Sequence, residues 1–297
     1  MLMNRLYLPN SEETIFHYCS AETLQAIAIC GTLRFTDINM LNDELEVRWA
    51  YSIFEEAATR LIKRLGVRDT APEISISFID SIDEIISPMQ LIAHPFITCF
   101  SLKGDLLGQW RAYADDGKGF AIGFSADALK NQLPATFLRV LYDKEEQVRE
   151  MMGALVAIYL SFEGSKTDQR SRFFEDCVLL GTYMTAFKNP AFAEEAEIRA
   201  VHAVNVKHQG SLAKFVDKGG VVNLTERVEA AKVNFQVRDN HLVAYTDVPF
   251  SPLNMPSPIK ELILGPKNHS APGNLQLFFG GLGYEELGLS KSEAPYR

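Results

Sequence analysis

The chain predicts an α+β fold, with mixed and antiparallel sheet flanked by helices, and three observations carry that expectation. Segments with a two-residue apolar period alternate irregularly with segments of helical period, without the strict strand–helix–strand order of a doubly wound fold. The 297 residues are 47% hydrophobic and 23% charged, which supplies enough apolar material for a large core. No repeat or low-complexity linker divides the sequence, and its length permits one large domain or two small ones.

In chain order, Thr14 to Cys19 is a short apolar stretch and reads as a strand. Ser20 offers an N-cap, Leu24, Ile27 and Ala28 follow at helical spacing, and Gly31 ends the helix. Leu33 to Thr36 reads as a second strand. Asn42 or Asp43 caps a long helix whose stripe includes Val47, Ala50, Ile53, Phe54, Ala57, Leu61 and Ile62, with Gly66 as its stop. A helix around Ile79 to Ile92 and a buried strand from Phe96 to Ser101 come next. Leu106 to Ala114 is a short helix, and Asp115, Asp116 and Gly117 make a turn. Phe120 to Phe124 and Thr136 to Tyr142 read as strands. Two helical segments fill roughly 144–188, the candidate helical insertion. Strands are expected near 195–204, 230–238, 241–247 and 259–264, with a last helix near 273–280.

The net charge of -9 and pI near 5.3 argue against non-specific nucleic-acid binding, because an acidic surface repels phosphate backbones. The four cysteines, Cys19, Cys30, Cys99 and Cys177, form no CxxC pair and sit among apolar residues. They read as buried free thiols of a reducing compartment. The opening residues lack an apolar signal core, and no apolar run approaches membrane-spanning length, so a cytoplasmic location without membrane contact is expected. There is no Walker sequence and no HExxH. Gly281 and Gly283 begin a dinucleotide fingerprint, but Glu286 stands where its third glycine belongs. Gly123 to Asp127 fails the nucleophile elbow at its last position.

Four constellations remain. His17 lies in the middle of the first strand, where β-branched and aromatic residues are usual. Its ring can bond a ribose hydroxyl or an amide, or be satisfied by a backbone carbonyl in the core. Leu41-Asn42-Asp43-Glu44 is explained by helix capping, with Glu44 and Glu46 favoured in the first turn, or else forms a polar loop at a cleft. Leu106, Trp110 and Tyr113 share a helix face and are read as core, whereas Arg111 can bind a phosphate or pair with Asp115. Lys188 to Val201 is the most informative stretch. If its strand starts near Glu195, then Glu195, Glu197 and Arg199 share one face, and Ala196, Ile198 and Ala200 the apolar other. Carboxylates two residues apart on a strand lie roughly 7 Å from one another, and Arg199 can supply the charge that makes this tolerable. The face is either a wet sheet surface or a catalytic carboxylate pair.

These blocks together resemble a bacterial family known as domain of unknown function 2971. The matching stretches are Phe16-His17-Tyr18-Cys19-Ser20, Leu41 to Glu44, Cys99-Phe100-Ser101 and Trp110 to Ala114 with Gly119, Gly123 and Phe124. Lys188 with Glu195 to Arg199, Ile259 to Pro266 and Ser292 to Arg297 complete the pattern, and because these blocks span nearly the whole chain the resemblance implies a single domain over residues 1–297. Cys19 departs from it, since threonine is more usual there. More distantly, a first-strand histidine followed by a helix, a glycine and a short strand is similar to the opening of ADP-ribosyltransferases. That resemblance implies a split sheet, with NAD as substrate and an unidentified acceptor. It implies that His17 and Tyr18 hold the nucleotide with Thr36 nearby, and that Glu197 is the catalytic glutamate with Glu195 as its partner. Arg111 and Arg199 are the implied pyrophosphate contacts. Two other readings stand beside it. One is a non-catalytic ligand-binding or interaction module of a bacterial defence or stress system. The other is a metal-dependent nuclease-like enzyme using Asp43, Glu195 and Glu197.

Overall fold

The computed structural model describes residues 5–38, 44–66, 71–87, 93–164, 169–222, 226–238, 240–250 and 256–296. Strand β1 (Thr14–Cys19) ends at Ser20, whose hydroxyl accepts from the Thr23 amide and opens α1 (Ala21–Cys30). Gly31, at φ 60°, closes that helix by donating its N–H to the Ile27 carbonyl, a left-handed stop that glycine adopts without a Cβ clash. The chain returns as β2 (Thr32–Asp37), in which Leu33 and Phe35 point into the core. The expected Asn42 or Asp43 cap lies outside the described residues. Helix α2 (Glu44–Ile62) buries the stripe read from the sequence, from Ala50 through Leu61. Helix α3 (Ile76–Ile86) begins at a Ser75 cap, earlier than the spacing suggested, and residues 88–92 of the expected helix lie outside the described residues.

Strand β3 (Ala93–Ser101) leads to α4 (Leu107–Tyr113), a tight turn at Asp115–Gly117 and β4 (Phe120–Ser125). Then come α5 (Ala126–Gln132), β5 (Thr136–Arg139), α6 (Lys144–Gly164) and α7 (Gln169–Met184). A long strand, β6 (Glu197–Gln209), forms a hairpin with β7 (Leu212–Val216). The short pair β8 (Gly220–Val222) and β9 (Glu226–Val228) precedes the hairpin of β10 (Val233–Arg238) and β11 (His241–Pro249). The remaining elements are β12 (Ile259–Leu264), α8 (Pro272–Gly281) and β13 (Gly288–Lys291).

Among the described residues, eleven strands form one mixed, mainly antiparallel sheet that forks at β3. One edge of β3 pairs along its whole length with β6. The other edge is shared. Phe96 and Ile97 pair with β2, and Ser101 pairs with β1, so Cys99 sits between the two branches. One arm runs β2–β11–β10 and the other β1–β4–β12–β13. Two large apolar clusters stabilise the molecule. The first packs the sheet against α1, α5 and α8. The second joins α6 and α7, expected as an insertion, to α2 and α3 in a helical layer. All four cysteines are free, and Cys30 is exposed rather than buried because it ends α1 on the outward side.

Candidate functional site

A cavity of about 370 Å³ opens where the sheet forks, at the small end of the roughly 300–1,000 Å³ range of ligand sites. Its floor is ionic. Lys188 Nζ lies 2.6 Å from Glu195, 2.9 Å from Glu197 and 3.1 Å from Glu46. Arg199 donates from Nε to Glu197 at 2.7 Å, from Nη2 to Glu46 at 2.8 Å and from Nη1 to the Thr185 carbonyl at 2.8 Å. Lys188, Glu197 and Arg199 are all buried, and such charges persist in a low dielectric only when fully paired.

Local sequence explains how these side chains meet. Asn189 accepts from the Ala191 amide and Pro190 follows it, so Pro190–Glu195 winds as a 3₁₀ turn. Ala196 then adopts a left-handed conformation at φ 46°, and β6 begins only at Glu197. The expected strand start near Glu195 is therefore corrected: Glu195 belongs to the turn. Ser101 Oγ donates to the Glu195 carbonyl and the Leu102 amide to that of Ala196, which fix the bend. Both carboxylates thereby reach one ammonium. The face is not wet. Ile198 and Ala200 are buried on the apolar side as read, but Glu197 and Arg199 are buried too, under α2 and α7.

The two carboxylates differ electrostatically. Burial would raise the Glu197 pKa, but the charges of Arg199 and Lys188 outweigh it and hold it down at about 2. Glu195 is raised above the ordinary carboxylate value by burial and by Glu197, with Lys188 only partly compensating. Tyr113 donates its hydroxyl to Glu195 at 3.2 Å. It lies on the cleft rather than in the core as expected, since only Trp110 of its helix face is fully buried. His17 lines the same cavity. Its Nδ1 is 2.9 Å from the Cys99 carbonyl, so that nitrogen carries the proton and Nε2 is left as an acceptor. Burial lowers the His17 pKa, which keeps the ring neutral.

Tyr18 also lines the cavity, but its hydroxyl is engaged, donating to the Lys103 carbonyl and accepting from the Leu106 amide at the start of α4. Thr36 does not reach the cavity: it sits on β2 between Ile97 and Tyr245. Nor does Arg111. Gln109, Ala112 and Tyr113 face the cleft, and the 3.6-residue repeat turns Arg111 outward, its guanidinium 5.9 Å from the Tyr296 ring centre. No Arg111–Asp115 pair forms among the described residues. Arg199 is present but consumed by its ion pairs, so neither arginine takes the phosphate role expected of it. Among the described residues no group of three or more His, Cys, Asp or Glu side chains is placed to hold a metal ion, and Asp43 lies outside them. The sequence places Glu46 in the first turn of a helix, yet it closes the ionic floor. Nothing local signals this, because its partner Arg199 is 153 positions away.

Residues 109–200 match a family model described as Protein of unknown function (DUF2971). The matched stretch carries Tyr113, Lys188, Glu195, Glu197 and Arg199, while His17 and Glu46 precede it. No curated protein matches the chain. No solved structure matches it either. No described helix is long and apolar enough to cross a membrane.

Proposed function

We propose that the cleft binds NAD or a closely related nucleotide and breaks its nicotinamide–ribose bond, passing ADP-ribose to an acceptor or to water. The observation that carries this reading is the convergence of His17, Tyr113, Glu195 and Glu197 on one cavity, from elements far apart in sequence. A neutral histidine with an acceptor nitrogen suits a ribose hydroxyl or a carboxamide N–H.

The chemistry divides between the two glutamates. As the bond breaks, nicotinamide leaves as a neutral molecule with the bonding pair, and positive charge develops on the ribose. A carboxylate facing that carbon stabilises the charge. Glu197 is fully engaged with Arg199 and Lys188, so this work falls to Glu195, the carboxylate nearer the open cavity. Glu195 then takes the proton released when an acceptor hydroxyl or water attacks the ribose carbon. Lys188 and Tyr113 orient it.

The test is nicotinamide release from NAD by the purified protein, with and without lysate as a source of acceptor, beside Glu195→Gln. Wild type should release nicotinamide, and the variant should be slower by at least about 100-fold while remaining folded. Equal release would remove Glu195 from the chemistry. No release from either would favour a second reading, a ligand-binding module. The complete pairing of Glu197 supports that alternative, since such a floor can shape a binding site without catalysing anything.

A further inference from the structure

The ionic floor is unbalanced. Among the described residues, Glu46, Glu195 and Glu197 meet two cations, Lys188 and Arg199, which leaves one formal negative charge at the closed end of the cavity. The compensating cation is elsewhere. Arg238, at the end of β10, lines the same cavity from the opposite arm of the forked sheet. It is exposed, and no ion pair engages its guanidinium among the described residues. The cleft is thus polarised along its length, negative inside and positive at the mouth.

We propose that Arg238 is the specificity-determining residue of the cleft, binding a phosphate of a ligand whose other end is cationic and enters the floor. This rests on the function proposed above and narrows it to the oxidised dinucleotide. A nicotinamide ring carrying positive charge is drawn to the Glu195 end, and the pyrophosphate remains at the rim. Arginine suits the second task because its planar fork offers several donors to phosphate oxygens. It also takes over the role that Arg111 and Arg199 cannot fill.

The test is calorimetric titration of wild type, Arg238→Ala and Arg238→Lys with two probes: oxidised NAD, and nicotinamide riboside, which has the cationic ring and no phosphate. Arg238→Ala should weaken NAD binding by about tenfold or more, Arg238→Lys by less, and riboside binding should stay within about twofold. NAD binding unchanged in Arg238→Ala overturns the assignment and leaves the cleft's function standing. Equal weakening of both probes also overturns it, since the side chain would then only shape the cavity. If wild type binds neither probe, the nucleotide reading fails and the role of Arg238 falls with it.

Discussion

Glu197 accepts from a guanidinium and an ammonium at once, whereas Glu195 accepts from the ammonium and a tyrosine hydroxyl beside open space. Removing the charge of one should therefore be a matter of stability, and of the other a matter of chemistry. Glu197→Gln leaves two buried cations short of a counter-charge and is expected to cost about 3–5 kcal/mol of unfolding free energy. Glu195→Gln is expected to cost less, about 1–2 kcal/mol, because burial already disfavours its charge and Lys188 keeps Glu46 and Glu197. Urea denaturation of the two variants checks this, and equal midpoints would refute the distinction. The pairing of Glu197 with Arg199 was legible from the two-residue period of a strand. The separation of Glu195 from that strand was not, because alanine in a left-handed conformation leaves no mark on an apolar pattern.

At the scale of elements, α4 is held from outside the cleft by the segment Ser292–Tyr296. Asp105 accepts from Trp110 Nε1 at 2.6 Å, from Ser292 Oγ at 2.5 Å and from the Glu293 amide at 2.8 Å. Tyr296 bonds Asp116, and Lys267 Nζ stands 3.7 Å from the centre of its ring. Gly117 makes room for that ring, since a Cβ there would meet it at 3.1 Å. Asp105→Asn keeps the shape but gives up the charge that three donors share, and is expected to cost about 1–3 kcal/mol. Limited proteolysis should then cut near residue 292 faster than in wild type, and an unchanged rate would show that Asp105 does not fasten the segment. The long elements were readable because α2 and β6 bury continuous apolar stripes. Strands β7, β8 and β9 leave no such stripe, because they are short and largely exposed and their pairing rests on backbone bonds that an apolar pattern does not record.

For the whole molecule, a histidine–carboxylate pair away from the cleft gives stability a pH dependence. His202 on β6 donates to the Pro134 carbonyl at 3.0 Å and to Asp217 at 2.8 Å, joining the β5 approach to the chain before β8. Both partners are acceptors, so both ring nitrogens are protonated and the ring is cationic. Burial alone would lower its pKa, but Asp217 and the Pro134 carbonyl together raise it above 6.5. A raised value means that the contribution is complete below the unfolded pKa and is lost as pH rises through the folded one. Asp217 is shifted the other way. Burial opposes the shift, but His202 and the Gly219 and Ala231 amides together lower its pKa, so its share is lost only in acid. The stability gap between wild type and His202→Gln should therefore be widest near pH 6 and narrow toward pH 9. Thermal melts across that range measure it, and a gap constant with pH would mean that the ring is neutral. The α+β class was readable from the irregular alternation of periods, but the fork was not, because it depends on β1 and β2 sharing one edge of β3.

That fork also makes the cleft a pair of tongs with β3 as the pivot. His17 rides on one arm and Arg238 on the other, and among the described residues no ladder pair ties β1 to β2. The span between the two grips is consequently a property of sheet twist. On the function proposed above, substitutions on the far side of the sheet, among the apolar residues that set its curvature, retune the length of nucleotide the cleft takes without altering any side chain that touches it.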